Sequence, residues 1–351
     1  MRSVIDILDL TVEELDGIIA TAEDILAHPD AYADKCRSKK LATLFFEPST
    51  RTRMSFEAAM LDLGGSVLSM ASAASSSATK GESVADTAKV ISQYADVIAM
   101  RHPKEGAALV AAKNAEIPVI NAGDGGHCHP TQTLADLLTI HRRFGTFDGL
   151  TVGFCGDLKY GRTVHSLINA LVRYHNVKFV LISPEELKLP DYSKQVILNN
   201  GNAYEETADL TAAIPALDVL YMTRVQQERF ENRAEYERLK DTYILTTDKL
   251  AGAKENIAIL HPLPRVNEIS VQVDAHPGAA YFEQVKNGKF MRMALILFVL
   301  SHNDGQPADL LPRWTGTETP AHVCKNPACI THTEQELAPV LRDGKCVYCE
   351  Q

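Results

Sequence analysis

FFEPSTRTRMSFE, residues 45–57, holds the densest set of groups able to bind an anion. An apolar run leads into Pro48, then Ser49, Thr50, Arg51, Thr52 and Arg53, and then an amphipathic pattern that predicts a helix. Hydroxyls and unpaired backbone N–H groups at a helix N-terminus bind anions, and an adjacent guanidinium completes such a site. Each charge-assisted bond contributes about 1.5–3 kcal/mol, so several together hold a phosphate. The alternative is an ordinary helix cap with surface arginines. Two arginines within three positions favour the anion site.

Other candidate groups fall where an apolar run ends. MRHP at 100–103 supplies Arg101, and GGHCHPTQ places His129 and Gln132 at the start of a helix. A lone histidine is more often structural, and no carboxylate or third ligand stands at a spacing that makes this stretch a metal site. SSSATKGE at 75–82, with Ser76 and Lys80, reads by itself as a flexible loop. GFCGDLKYGRTVHS carries Lys159, Tyr160 and Arg162 but lacks the G-x-G-x-x-G spacing of a dinucleotide turn. MTRVQ brings Arg224 and Gln226; HPLPR brings Leu263 and Pro264 in a rigid loop whose carbonyls would face a ligand. Arg51, Arg53, Arg101, Arg162 and Arg224 together imply one or two substrates bearing several negative charges. No nucleophile-and-base set stands out. Catalysis would then rest on placing two reactants together and stabilising developing charge.

The elements that must position these groups alternate. KKLATLFF, GGSVLSM, ADVIAMR and IPVINAG read as strands separated by helical stretches, and so do LTVGFCGD, VKFVLISP, ALDVLYMTR and ENIAILHPLP. That alternation predicts an α/β fold: two α/β domains, each a parallel sheet flanked by helices. The expected division is 1–130, completed by a helix near 283–302, then 131–282, a linker over 303–320 and a small tail over 321–351. With 351 residues, 45% hydrophobic and 23% charged, the composition is that of a globular protein. A net charge of −10 argues against a broad nucleic-acid surface. No basic start followed by a long apolar run opens the chain and no run approaches a membrane span, so a cytoplasmic protein is expected.

STRTR, RHP, HPTQ and HPLP, in this order, resemble the carbamoyltransferases over roughly residues 1–302, and DLKYGRTVHS and MTRVQ resemble the aspartate branch. The resemblance implies transfer of the carbamoyl group from carbamoyl phosphate to the amine of L-aspartate, an early step of pyrimidine biosynthesis, without a cofactor. A carbamoyltransferase for another amino acid, such as ornithine, is the alternative. By the same resemblance Ser49, Thr50, Arg51 and Thr52 hold the phosphate, and Arg51, Thr52, Arg101 and His129 polarise the carbamoyl oxygen, with Gln132 beside them. Arg162, Arg224 and Gln226 bind the aspartate carboxylates, while the carbonyls of Leu263 and Pro264 lie near the reacting amine. Ser76 and Lys80 match a loop that enters the neighbouring subunit's site, which implies a homotrimer with shared sites and domain closure around the substrates.

Four of the seven cysteines stand after residue 323, as C-x4-C at Cys324 and Cys329 and C-x2-C at Cys346 and Cys349. In a reducing compartment this pattern points to a structural Zn2+ held by four thiolates, which would supply about 10–16 kcal/mol toward folding so short a segment. CKNPACITHTE and CVYCE resemble the zinc domain of the regulatory chain that joins catalytic trimers in the large bacterial enzyme. The resemblance implies a docking role for the tail, against its own trimer or in a dimer of trimers.

Overall fold

The computed structural model describes residues 1–72, 77–225, 234, 238, 243–303, 311–320, 322–334 and 337–351. They divide into two compact units: Met1–Thr131 with Gly288–Gln351, and Gln132–Asn287.

The first unit is built on β1 (Lys40–Phe45), β2 (Ser66–Met70), β3 (Val97–His102) and β4 (Val119–Asp124). They form a parallel sheet in the order β2-β1-β3-β4, with Phe45 opposite Arg101. β1 is buried along five of its six residues, as a central parallel strand covered on both faces must be. Helices α1 (Val12–Ala27), α2 (Thr50–Asp62), α3 (Val84–Ser92) and α4 (Ala107–Asn114) connect or flank the strands. Thr11 and Glu14 form a capping box at the start of α1: the Glu14 N–H donates to Thr11 Oγ1 at 3.1 Å, and the Thr11 N–H to Glu14 Oε2 at 2.8 Å. Helix α4 has no sequence signature because Ala107–Ala112 are all buried, which leaves no polar face to set a 3.6-residue alternation.

What covers α4 is the tail. Its short antiparallel strands β10 (Thr317–Glu318), β11 (Val340–Arg342) and β12 (Lys345–Cys346) lie beside a buried Trp314. Trp314, Ile330, Val340, Val347, Tyr348 and the four tail cysteines share one hydrophobic core with residues 107–112. The Trp314 indole N–H donates to Asp9 Oδ1 at 2.8 Å. A Cβ on Gly106 would come within 2.5 Å of the Tyr348 carbonyl oxygen, so tail backbone lies directly on the start of α4. A core this continuous means that residues 311–351 belong to the first unit; a segment so short has too little apolar surface of its own to close.

The second unit carries β5 (Thr151–Cys155), β6 (Lys178–Ile182), β7 (Ala203–Thr207), β8 (Val219–Met222) and β9 (Ala258–Leu260). The sheet is parallel, in the order β7-β6-β5-β8-β9. Its helices are α5 (Pro130–Phe144), α6 (Arg162–Leu171), α7 (Asp191–Asn199) and α8 (Leu210–Ala213). Helix α9 (Tyr281–Ser301), like α5, carries the chain from one unit to the other. Every strand expected from sequence is present, and β7 is one more: a polar, largely exposed edge strand with no apolar run to betray it. Among the described residues no helix is long and apolar enough to cross a membrane.

Candidate active site and cysteine cluster

Both sheets place arginines where the strand order reverses. In the first, β1 and β3 are neighbours whose following helices leave in opposite directions, and ligands in open α/β sheets bind beyond the carboxyl ends at that crevice. Ser49 through Thr52 follow β1, and Arg101 ends β3. Ser49 occupies the N-cap position of α2, yet its side chain makes no capping bond and the first turn holds no acid. The N–H groups of that turn are thus not closed by a side-chain cap of the helix's own.

Arg51 has no carboxylate paired with it among the described residues, and burial together with the neighbouring Arg101 guanidinium lowers its pKa. Two like charges held this close are stabilised by an anion between them. Arg101 is anchored by Glu47, whose carboxylate accepts from its Nε at 3.0 Å and also from Nη2. Gly123, at φ 119°, lies where Arg101 and His129 converge. A Cβ there would stand 3.3 Å from Arg101 Nη1 and 3.4 Å from His129 Cδ2, so a glycine lets the two side chains approach. His129 is buried, 5% exposed, with Thr131 Oγ1 3.4 Å from its Nδ1. Behind Arg101, His102 accepts the Lys104 N–H at its Nδ1, and burial depresses its pKa to about 4.

In the second unit the reversal lies between β5 and β8, which pair with Cys155 opposite Met222. Arg162 begins the helix after β5, and Arg224 follows β8 by two residues. Thr223 joins the two strand ends: its hydroxyl donates to the Cys155 carbonyl at 3.1 Å and accepts the Asp157 N–H at 3.0 Å. Next to β8, β9 runs into the 261–265 loop, where Leu263 has φ 50° and a cis bond to Pro264. That loop is fixed from within. The Leu263 N–H donates to His261 Nδ1 at 2.8 Å, and His261 Nε2 lies 2.7 Å from Glu268 Oε1. Burial alone would raise the Glu268 carboxyl, but the His261 ring and the Val266 N–H outweigh it and hold the pKa below the ordinary value. Gln284 accepts the His261 N–H at 3.0 Å and donates to Asp136 Oδ1, which also accepts from Gln132 Nε2 at 2.7 Å.

The expected residues therefore gather as two sets. Ser49, Thr50, Arg51, Thr52, Arg101 and His129 stand at the reversal point of one sheet; Arg162, Arg224, Leu263 and Pro264 stand at the strand ends of the other, and Gln132 joins the network behind the 261–265 loop. Lys80 is exposed at the end of a short 3-10 turn, Ser77–Lys80. Ser76 and Gln226 lie outside the described residues. Sequence reasoning passed over Glu47, Asp136, Glu268 and Gln284, since a single buried carboxylate or amide has no local pattern to mark it. It also found no carboxylate near His127 and Cys128, yet the end of β4 brings Asp124 there. His127 Nδ1 lies 3.1 Å from Asp124 Oδ2, and Cys128 Sγ donates to the Ile5 carbonyl at 3.3 Å, so the groups are engaged with their neighbours.

The tail cysteines are buried free thiols whose sulfurs all lie within 4.8 Å of one another. Cys324 and Cys349 are 3.6 Å apart, Cys329 and Cys346 3.8 Å. A tetrahedron of thiolates about 2.3 Å from Zn2+ has sulfur–sulfur edges of roughly 3.8 Å, so the donor set fits the ion in number, kind and spread.

Two family profiles match the chain: "Aspartate/ornithine carbamoyltransferase, carbamoyl-P binding domain" over residues 2–142 and the same family's "Asp/Orn binding domain" over 148–299. The aspartate carbamoyltransferase catalytic subunit of Lachnoclostridium phytofermentans is 62% identical over 302 residues, 86% of this chain and 98% of that one. The corresponding subunit of Bifidobacterium adolescentis is 60% identical over 299 residues, 84% of this chain and 92% of that one. Among solved structures, the catalytic subunit of M. jannaschii aspartate transcarbamoylase superposes with a TM-score of 0.81 at 44% identity, covering 87% of this chain and all of that one. Aspartate transcarbamoylase from Trypanosoma cruzi, in complex with carbamoyl aspartate and phosphate, gives 0.79 at 38%, covering 85% and 96%.

Proposed function

Because the chain belongs to the aspartate/ornithine carbamoyltransferase family, we propose a division of labour between its two half-sites in the carbamoylation of aspartate. The protein transfers the carbamoyl group of carbamoyl phosphate to L-aspartate, giving N-carbamoyl-L-aspartate and phosphate. Aspartate rather than ornithine is the acceptor. Ser49, Thr50, Arg51 and Thr52 receive the phosphate on the uncapped start of α2, where N–H groups, hydroxyls and one guanidinium face the same anion. Arg51, Thr52, Arg101 and His129 face the carbamoyl oxygen, with Gln132 nearby. Arg162, Arg224 and Gln226 take the two carboxylates of aspartate, and the Leu263 and Pro264 carbonyls accept from its amine.

The neutral α-amine attacks the carbamoyl carbon, and the carbonyl electrons move onto an oxygen that Arg101, His129 and Thr52 stabilise. The carbon–oxygen bond to phosphate then breaks, and the departing phosphate takes the amine proton. The single observation that carries this reading is the pair of crowded, positively charged side chains Arg51 and Arg101 beside an uncapped helix start. Incubation with carbamoyl phosphate and either amino acid tests it: carbamoyl aspartate with aspartate, and no citrulline with ornithine, is the expected result.

Ser76 and Lys80 complete a neighbouring subunit's site in a homotrimer, a reading that rests on the family motif alone. Cys324, Cys329, Cys346 and Cys349 hold a structural Zn2+, supported by four buried sulfurs at tetrahedral spacing. Zinc content and native mass before and after chelation test both: about one zinc per chain and a trimer, or a hexamer that falls to trimers on chelation, are expected. Absence of zinc from the purified chain overturns the metal reading and leaves the catalytic one standing.

A further inference from the structure

We propose that the tail is a positioning device for the loop that carries His129, acting through His127 and Glu105. This rests on the reading above that His129 stabilises the carbamoyl oxygen. The loop from Gly123 to Cys128 has three glycines, two of them at positive φ, and few apolar side chains with which to anchor itself. Polar contacts must hold it, and the tail supplies two of them.

The first runs from Glu350. Its Oε2 lies 3.1 Å from His127 Nε2, while His127 Nδ1 lies 3.1 Å from Asp124 Oδ2. Asp124, fully buried, in turn accepts the Gly106 N–H at 2.8 Å, Asn121 Nδ2 at 2.9 Å and the Cys128 N–H at 3.3 Å, one residue before His129. Arg313, also in the tail segment, fixes Glu350 from the far side, donating to its Oε1 at 2.7 Å and to Asp6 Oδ2 at 2.8 Å. The second contact runs from Asn326, between the first pair of cysteines. Its Nδ2 donates to Glu105 Oε2 at 2.6 Å, and Glu105 Oε1 accepts the Gly126 N–H at 3.1 Å. The Glu105 backbone is clasped as well: its N–H donates to the Ala328 carbonyl and its carbonyl accepts the Ile330 N–H, both at 2.9 Å.

Both tail groups stand next to cysteine ligands: Glu350 follows Cys349, and Asn326 lies between Cys324 and Cys329. Folding the cysteine cluster thus sets the two side chains that grip the loop. Without them the half-buried His127 and the buried Glu105 each lose a partner, and the loop before His129 is free to shift. A displacement of about 1 Å at a catalytic group costs on the order of 10²-fold in rate.

The experiment uses the full-length, zinc-loaded chain with Glu350→Ala and Asn326→Ala combined. Expected are unchanged zinc content and native mass, a kcat lower by about tenfold or more, and a KM for aspartate within about twofold of wild type. Amide exchange over residues 121–129 should also quicken. Glu350→Gln, which keeps an acceptor for His127, should restore most of the loss, whereas Lys113→Ala, which removes a cation from the Tyr348 ring, should leave kcat near wild type. A double variant that binds zinc and keeps wild-type kcat and exchange overturns the proposal, as does an equal loss in Lys113→Ala. Failure of the parent reading shows separately, as a wild-type chain that makes no carbamoyl aspartate; the exchange measurement then still decides whether the tail holds the loop.

Discussion

The two half-sites use the same topological position but differ in how their charge is held. Beyond β1 and β3, Arg51 and Arg101 crowd each other, and burial together with the Arg101 charge lowers the Arg51 pKa. Beyond β5 and β8, whose ends Thr223 joins, stand Arg162 and Arg224, and the adjoining loop is held by Gln284, Asp136 and the His261–Glu268 pair. On the reading proposed above, the first arrangement meets the departing phosphate and the developing oxyanion, and the second positions the two carboxylates of aspartate. Groups that meet charge only as it develops govern kcat; groups that meet the ground-state substrate govern KM.

Arg51→Ala should break the first half-site most severely. It removes a donor to the leaving phosphate and the oxyanion, so kcat should fall by about 10²–10³-fold with little change in the KM for aspartate. Steady-state kinetics with each substrate varied in turn would check this; an effect confined to aspartate KM would erase the distinction drawn above. Arg224→Ala should do the reverse. Losing one or two charge-assisted bonds of about 1.5–3 kcal/mol each raises the aspartate KM by about 10–100-fold and leaves saturation by carbamoyl phosphate near wild type.

Glu47→Gln is a milder way to sharpen the contrast. Arg101 keeps an acceptor but loses its charged partner, a cost of about 1 kcal/mol and thus roughly fivefold in kcat, read in the same assay. The last effect concerns stability rather than rate. Half-buried His102 has its pKa depressed by desolvation to about 4 from an ordinary value near 6.5. Between those values the unfolded chain binds the proton and the folded one does not, so its contribution is full above pH 6.5 and is lost as pH falls toward 4. The slope is at most about 1.4 kcal/mol per pH unit. His102→Asn, which keeps an acceptor for the Lys104 N–H, should flatten that part of a denaturation profile taken from pH 7 to 4.

The difference between the half-sites also explains what was legible beforehand. Arg51, Arg101, Arg162 and Arg224 could be read from sequence because each follows an apolar run, and a strand's end marks itself by where the run stops. The four tail cysteines were legible for a similar reason, since they come in two close pairs along the chain. Glu47, Asp136, Glu268 and Gln284 were not, because a lone carboxylate or amide becomes a partner only when a distant element is folded against it. Strand β7 and helix α4 escaped for opposite reasons: one is too polar to show an apolar run, the other too apolar to show a face.

Sequence alone determined the alternating α/β order, the arginine set beyond the strand ends and the paired cysteines of the tail, since each depends on residue type and spacing along a few neighbouring positions. Tertiary structure alone decided that Ser49 leaves the start of α2 open and that Arg51 and Arg101 confront each other. It also decided that the tail closes over α4 within its own chain and reaches His127 and Glu105. Those outcomes join residues as far apart as 221 and 223 positions, as in the Asn326–Glu105 and Glu350–His127 contacts. Burial, not local propensity, sets the energy of such contacts, and burial exists only once the whole unit has folded.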